Sequence, residues 1–143
     1  MRCQVNPNSN KFKKFCSHRC FLSSRRKTDT WIERDINAFL TEHSIDFIPQ
    51  YSIGRMTADF YIPSINLIVE ANGDFWHANP SVYTDEKLLH PIQRRAIEKD
   101  ERKMRQLYDK GYDVIVVWEL DLKHRNEETL SEMLTQIRRK EAI

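Results

Sequence analysis

Asp59 and Glu70 are the two acids whose placement invites chemistry. They stand eleven residues apart in a region of short β-prone runs, so a tight hairpin would bring the two carboxylates close together. Buried like charges repel, and a divalent cation that bridges them relieves the repulsion. Hard oxygen donors with few other ligands favour Mg²⁺ or Mn²⁺. A second set of metal-capable residues, Cys3, Cys16 and Cys20, falls near the N-terminus and includes every cysteine in the chain. Three cysteines in an intracellular chain disfavour a disulfide framework. Around them lie Arg2, Lys11, Lys13, Lys14, Arg19, Arg25, Arg26 and Lys27, with no Asp or Glu among residues 1–28. The other 15 basic groups face all 21 acidic groups in residues 29–143, so a strongly basic arm precedes a mildly acidic body. A polyanion is the partner such an arm suits, because each Lys or Arg placed on a phosphate releases condensed counterions.

The elements that must position these residues are legible from hydropathy. With 143 residues the chain has room for one core and a short appendage. The composition break near Ser23 to Asp29 divides it into a basic, Cys-containing arm at 1–28 and a folded domain at 29–143. No apolar run is long enough for a membrane span, and the polar N-terminus lacks the apolar stretch of a secretory signal, so an intracellular protein is expected. From Thr30, the positions Trp31, Ile32, Ile36, Phe39 and Leu40 recur at helical spacing, with Thr28 or Asp29 available as N-cap. Phe47 to Tyr51, Thr57 to Ile62 and Ile65 to Glu70 read as an antiparallel meander. In its second strand Ala58, Phe60 and Ile62 face one way and Asp59 the other. The third is apolar on both faces, as a central strand would be.

Pro91 can open a long helix, with Ile92, Ala96, Met104, Leu107 and Tyr108 as its buried stripe and Gly111 as its end. Asp113 to Trp118 then reads as a strand reached across a helix and therefore parallel to its partner. Leu130, Met133, Leu134 and Ile137 mark a last amphipathic helix. The expected order is αβββαβα, an α/β (α+β) mixed sheet flanked by helices.

Within this frame, Thr57-Ala58-Asp59-Phe60-Tyr61-Ile62-Pro63 followed by Leu67-Ile68-Val69-Glu70-Ala71-Asn72-Gly73-Asp74-Phe75-Trp76-His77 resembles the active-site hairpin of the PD-(D/E)xK nuclease superfamily. Within it, the likeness is to very-short-patch-repair-like endonucleases and the EDxHD homing endonucleases. Asp100-Glu101-Arg102-Lys103, Gly111-Tyr112 and Val114-Ile115-Val116-Val117-Trp118-Glu119 continue the likeness, which spans roughly Thr30 to Leu122. It implies a restriction-endonuclease-like core and a metal-dependent hydrolysis of phosphodiester bonds in double-stranded DNA. It also implies that Asp59 is the central metal ligand, Glu70 the second, and Glu33 on the first helix an auxiliary acid. His77 and Asp100 match the family's histidine and later acid.

The usual superfamily lysine is missing, because the chain reads Glu70-Ala71-Asn72 where ExK is expected. Asn72 can orient a water or offer its oxygen to a metal, but it cannot act as a strong base. His77 is then the candidate general acid or base, since an imidazole titrates near neutral pH unaided. Phe15-Cys16-Ser17-His18-Arg19-Cys20 resembles the second half of a small zinc knuckle, with Cys3 in place of a first CxxC. A tetrahedral Zn²⁺ site needs one more ligand, from His18 or from upstream.

Two other readings stay open at this point. One is a non-catalytic DNA-binding module that kept the nuclease fold, which the missing lysine and Asn72 favour. The other is a protein-interaction domain whose basic arm is incidental. The oligomeric state is not legible.

Overall fold

The computed structural model describes residues 30–143. The cysteines Cys3, Cys16 and Cys20, the basic residues Lys11, Lys13, Lys14, Arg19, Arg25, Arg26 and Lys27, and the cap at Thr28 or Asp29 lie outside the described residues.

Helix α1, Trp31–Glu42, turns Ile32, Ile36 and Leu40 into the core at helical spacing. Strands β1, Ile48–Ile53, and β2, Met56–Ile62, are joined by a two-residue turn in which Gly54 takes φ 59°. That left-handed conformation is the reason a glycine stands there. Pro63–Ile65 forms a single 3₁₀ turn that leads into β3, Leu67–Asn72. This third strand therefore begins two residues later than its β-branched composition suggests.

Helix α2, Pro91–Asp109, opens at Pro91 with a capping box in which the His90 side chain accepts from Ile92 N and the Gln93 side chain accepts from His90 N. It closes in a Schellman turn. Gly111, at φ 88°, lets Tyr112 N reach Leu107 O at 3.0 Å and Gly111 N reach Tyr108 O at 2.9 Å. Strand β4, Asp113–Trp118, is followed by a short helix α3, Glu119–His124, and by α4, Asn126–Glu141.

The sheet order is β1-β2-β3-β4, antiparallel across the meander and parallel between β3 and β4. This is the expected αβββαβα order with one additional helical turn, α3, after β4. On one face α1 and α4 enclose Phe60, Ile62, Leu67, Val69, Ile115 and Val117. On the other, Leu107 of α2 packs with Ile68 and Ala58, so Ala58 departs from the face expected to hold it with Phe60 and Ile62, at the level where Gln50 kinks the neighbouring strand. The stripe expected along α2 is mostly not buried. Leu107 is, but Ile92 and Tyr108 are exposed, because the face that α2 turns inward runs through Gln93, Ile97, Asp100, Met104 and Leu107, one residue away from each of them. Among the described residues no helix is long and apolar enough to cross a membrane.

Candidate active site

The site forms where β2 and β3 part. Their pairing runs from Ile62↔Leu67 to Phe60↔Val69, so Asp59 and Glu70 lie just past the last pair. There the Asp59 carboxylate takes the place of a strand neighbour, its Oδ2 accepting from Ala71 N at 2.8 Å. Opposite Asp59 on β1, Gln50 leaves the extended region at φ 49°, a local kink at the same level. Asp59, Glu70 and Asn72 share the face of the sheet that α2 covers, because strand residues two apart point the same way.

Glu70 is buried. Its carboxyl is pushed up from 4.5 to about 8, first by burial and then by the charge of Asp59, with Lys103 pulling in the other direction. Lys103 reaches in from α2 to place Nζ 2.7 Å from Glu70 Oε1. The same ammonium donates to Thr57 O at 2.8 Å, and it faces Oε1 as a counter-charge without hydrogen-bond alignment.

His77 arrives from the turn after β3. Its Nδ1 donates to Asp100 Oδ2 at 2.7 Å, which fixes the ring and leaves Nε2 as the nitrogen able to exchange a proton with a bound group. Glu70, Asn72, His77, Asp100 and Lys103 border one cavity of about 60 Å³. A wider cleft of about 810 Å³, largely apolar, opens from His77, Asp100 and Asn72 along the flank of α2 that faces Val116 and Trp118 of β4.

The turn carrying His77 is held from three directions. His77 N donates to Gly73 O at 3.2 Å and Asn79 N to Asp74 O at 2.9 Å. Asp74 N donates to Glu119 Oε2 at 3.0 Å, Asp74 Oδ1 accepts from Asn79 Nδ2 at 2.7 Å, and buried Gln93 donates to Phe75 O at 3.0 Å. Anchors from the start of α3 and the start of α2 thus hold this short loop in a defined shape.

The structure brings Asp59, Glu70, Asn72, His77 and Asp100 together on one side of the sheet. Glu33 is buried on α1, which packs on the opposite face, and among the described residues no three His, Cys, Asp or Glu side chains form a ready-made metal cage. Two carboxylates suffice for Mg²⁺, which keeps several waters and takes its remaining oxygens from substrate. Buried Glu70 beside half-buried Asp59, with one misaligned ammonium, fits a hard divalent cation. The sequence alone gives Lys103 the look of a solvated helix charge and gives no role to Gln93, Asp74, Asn79 and Glu119, all of which the structure places at the site or its turn. For Lys103 the signal was its i+3 spacing from Asp100 on one helix face.

No protein-family model matches the chain. It is 30% identical over 115 residues to the DNA mismatch endonuclease Vsr of Escherichia coli (strain K12), an alignment covering 76% of this chain and 72% of that protein. Among solved structures it is similar to the catalytic domain of the homing endonuclease I-Bth0305I, with TM-score 0.53 and 23% identity over 78% of this chain and 94% of that one. The structural likeness carries the fold, and the sequence identity over that span carries the kinship. By that identity, this chain belongs to the Vsr-like endonuclease family, with a PD-(D/E)xK-like core.

Proposed function

We propose that this protein is a DNA endonuclease that hydrolyses phosphodiester bonds with Mg²⁺ or Mn²⁺ held by Asp59 and Glu70. The observation that carries this reading is the convergence of the buried Glu70 and the His77–Asp100 pair on one small cavity, with Asp59 bound to the backbone beside it. The Escherichia coli relative acts as a mismatch endonuclease and the structural neighbour is a homing endonuclease, which supports DNA as the substrate.

When bound, the cation supplies Lewis acidity toward the phosphodiester and the attacking water. Asp59 is held by Ala71 N so that its other oxygen is available to the cation. Asn72 orients a water or adds an amide oxygen. His77, steered by Asp100, moves a proton through Nε2. Lys103 brings to Glu70 the positive charge that the Glu70-Ala71-Asn72 stretch lacks, and this favours the catalytic reading over a binding module that only kept the fold. Phe75 and Trp76, both exposed and packed edge to face just before His77, offer apolar rings to bases near the site.

For the N-terminal residues we propose a separate basic grip at 1–28, with Cys3, Cys16 and Cys20 as Zn²⁺ ligands, joined to the endonuclease domain at 29–143. Plasmid nicking with and without Mg²⁺ tests the central reading. Asp59→Asn and Glu70→Gln are expected to abolish Mg²⁺-dependent nicking while duplex binding persists. Near wild-type nicking by either variant would sink the two-carboxylate assignment.

A further inference from the structure

The flank of α2 that faces the β1–β2 turn carries a feature that the catalytic assignment does not use. Lys99, Arg102, Lys103 and Gln106 recur at i, i+3, i+4 and i+7, which aligns them along one face of the helix. They form one wall of a cleft of about 590 Å³ whose other wall is the β1–β2 turn, with Arg55 and Thr57. Four cations and no carboxylate line it, in a body where acids outnumber bases. Among the described residues Arg55, Lys99 and Arg102 make no ion pair, and all three are exposed. Like charges at these spacings repel and cost helix stability, a cost that a polyanion in the cleft would remove.

The place of the cleft matters as much as its charge. Lys103 borders both it and the small cavity at Glu70, and Thr57 lies two residues before Asp59 on the same strand. A phosphate chain lying in the cleft therefore runs directly to the acid pair. We propose that the cleft between the β1–β2 turn and α2 binds the backbone phosphates of substrate DNA next to the scissile bond, through Arg55, Lys99 and Arg102, independently of the N-terminal arm. This rests on the endonuclease reading and adds to it a second, core-borne DNA contact.

The test is fluorescence anisotropy of the full chain with a short labelled duplex in EDTA, so that nothing is cut, across a KCl titration. Each phosphate contact contributes about 0.9 to the slope of log K against log salt, so Lys99→Ala with Arg102→Ala is expected to flatten it by about 1.8 and Arg55→Ala by about 0.9. Both should bind more weakly at low salt with no fall in melting temperature. Removing two exposed charges elsewhere, Lys123→Ala with Arg139→Ala, should leave slope and affinity at wild-type values. Unchanged slope and affinity in the cleft variants, or an equal loss in the control pair, overturns the proposal. Nicking by the wild-type chain is scored separately. A protein that nicks but shows no cleft effect keeps the endonuclease reading and loses this one, whereas a protein that binds through the cleft and never nicks does the reverse.

Discussion

Glu70 concentrates the electrostatics of the site in one carboxyl, and its protonation has consequences that can be measured. Its folded-state value of about 8 stands above the ordinary 4.5, so between those values the native state holds a proton that the unfolded chain has released. The sign follows from linkage. Glu70's contribution to stability is complete below the lower value, falls by about 1.4 kcal/mol per pH unit as pH rises through the window, and levels off above the upper value. Metal-free Glu70→Gln should therefore gain on wild type in thermal melts as pH rises from about 5 to about 8, and a constant difference would refute the burial account. Mg²⁺ must displace that proton, so calorimetry in buffers of different ionisation enthalpy should detect proton release on metal binding below pH 8. For His77, replacement by Ala should cost roughly 10²–10⁴-fold in nicking rate if Nε2 transfers a proton. A lowered melting temperature with an unchanged rate per folded molecule would make the residue structural instead.

Elements act on the site through their ends. The turn after β3 is short and irregular, yet it must hold His77 against Asp100 on α2, and Glu119, Asn79 and Gln93 set its shape. Gln93 sits in the first turn of α2, where the His90 capping box also fixes the helix start, so the helix that carries Asp100 and the turn that carries His77 are braced by one residue. Gln93→Ala leaves Phe75 O without its buried donor, a loss of about 1–3 kcal/mol in stability. Because the brace positions His77 and does not touch substrate, nicking should slow while duplex affinity stays near wild type. An unchanged rate in the folded variant would show that the turn holds its shape without the brace. Gly111 is the other sensitive point. Its φ of 88° makes Gly111→Ala strained although a Cβ there would meet nothing, so the cost is conformational and not steric.

At the scale of the whole chain, charge is divided between an uncompensated basic segment and a net acidic body. Deleting residues 1–28 should leave a cooperatively folding domain, since Trp31–Ile143 forms a compact unit with a core of its own. DNA affinity should fall and the salt dependence flatten, with about 0.9 lost from the slope for each arm charge that meets a phosphate. If Cys3, Cys16 and Cys20 bind Zn²⁺, the full chain purified under reducing conditions without chelator should carry near one equivalent of metal that the deletion lacks. Zinc-free full-length protein would reject the knuckle, and an unchanged salt slope would reject the grip.

What the sequence by itself determined is whatever follows from local periodicity and from residues close together along the chain. The alternation of Phe60 and Ile62 set one buried face of β2, the apolar run at Leu67–Val69 marked an interior strand, and the Asp59–Glu70 spacing placed two acids across one hairpin. Gly111 announced the end of α2 because only a left-handed residue completes that turn. Contacts made across large separations were decided by tertiary structure alone. Lys103 meets Glu70 33 positions away, and Glu119 meets Asp74 45 positions away. No period links such residues, and a charged helix residue looks the same in sequence whether it faces solvent or a buried carboxylate. The exposure of Ile92 and Tyr108 has the same origin. Their spacing fits a core stripe, but the rotation of α2 about its axis turns the neighbouring row, from Gln93 through Asp100 to Leu107, toward the site.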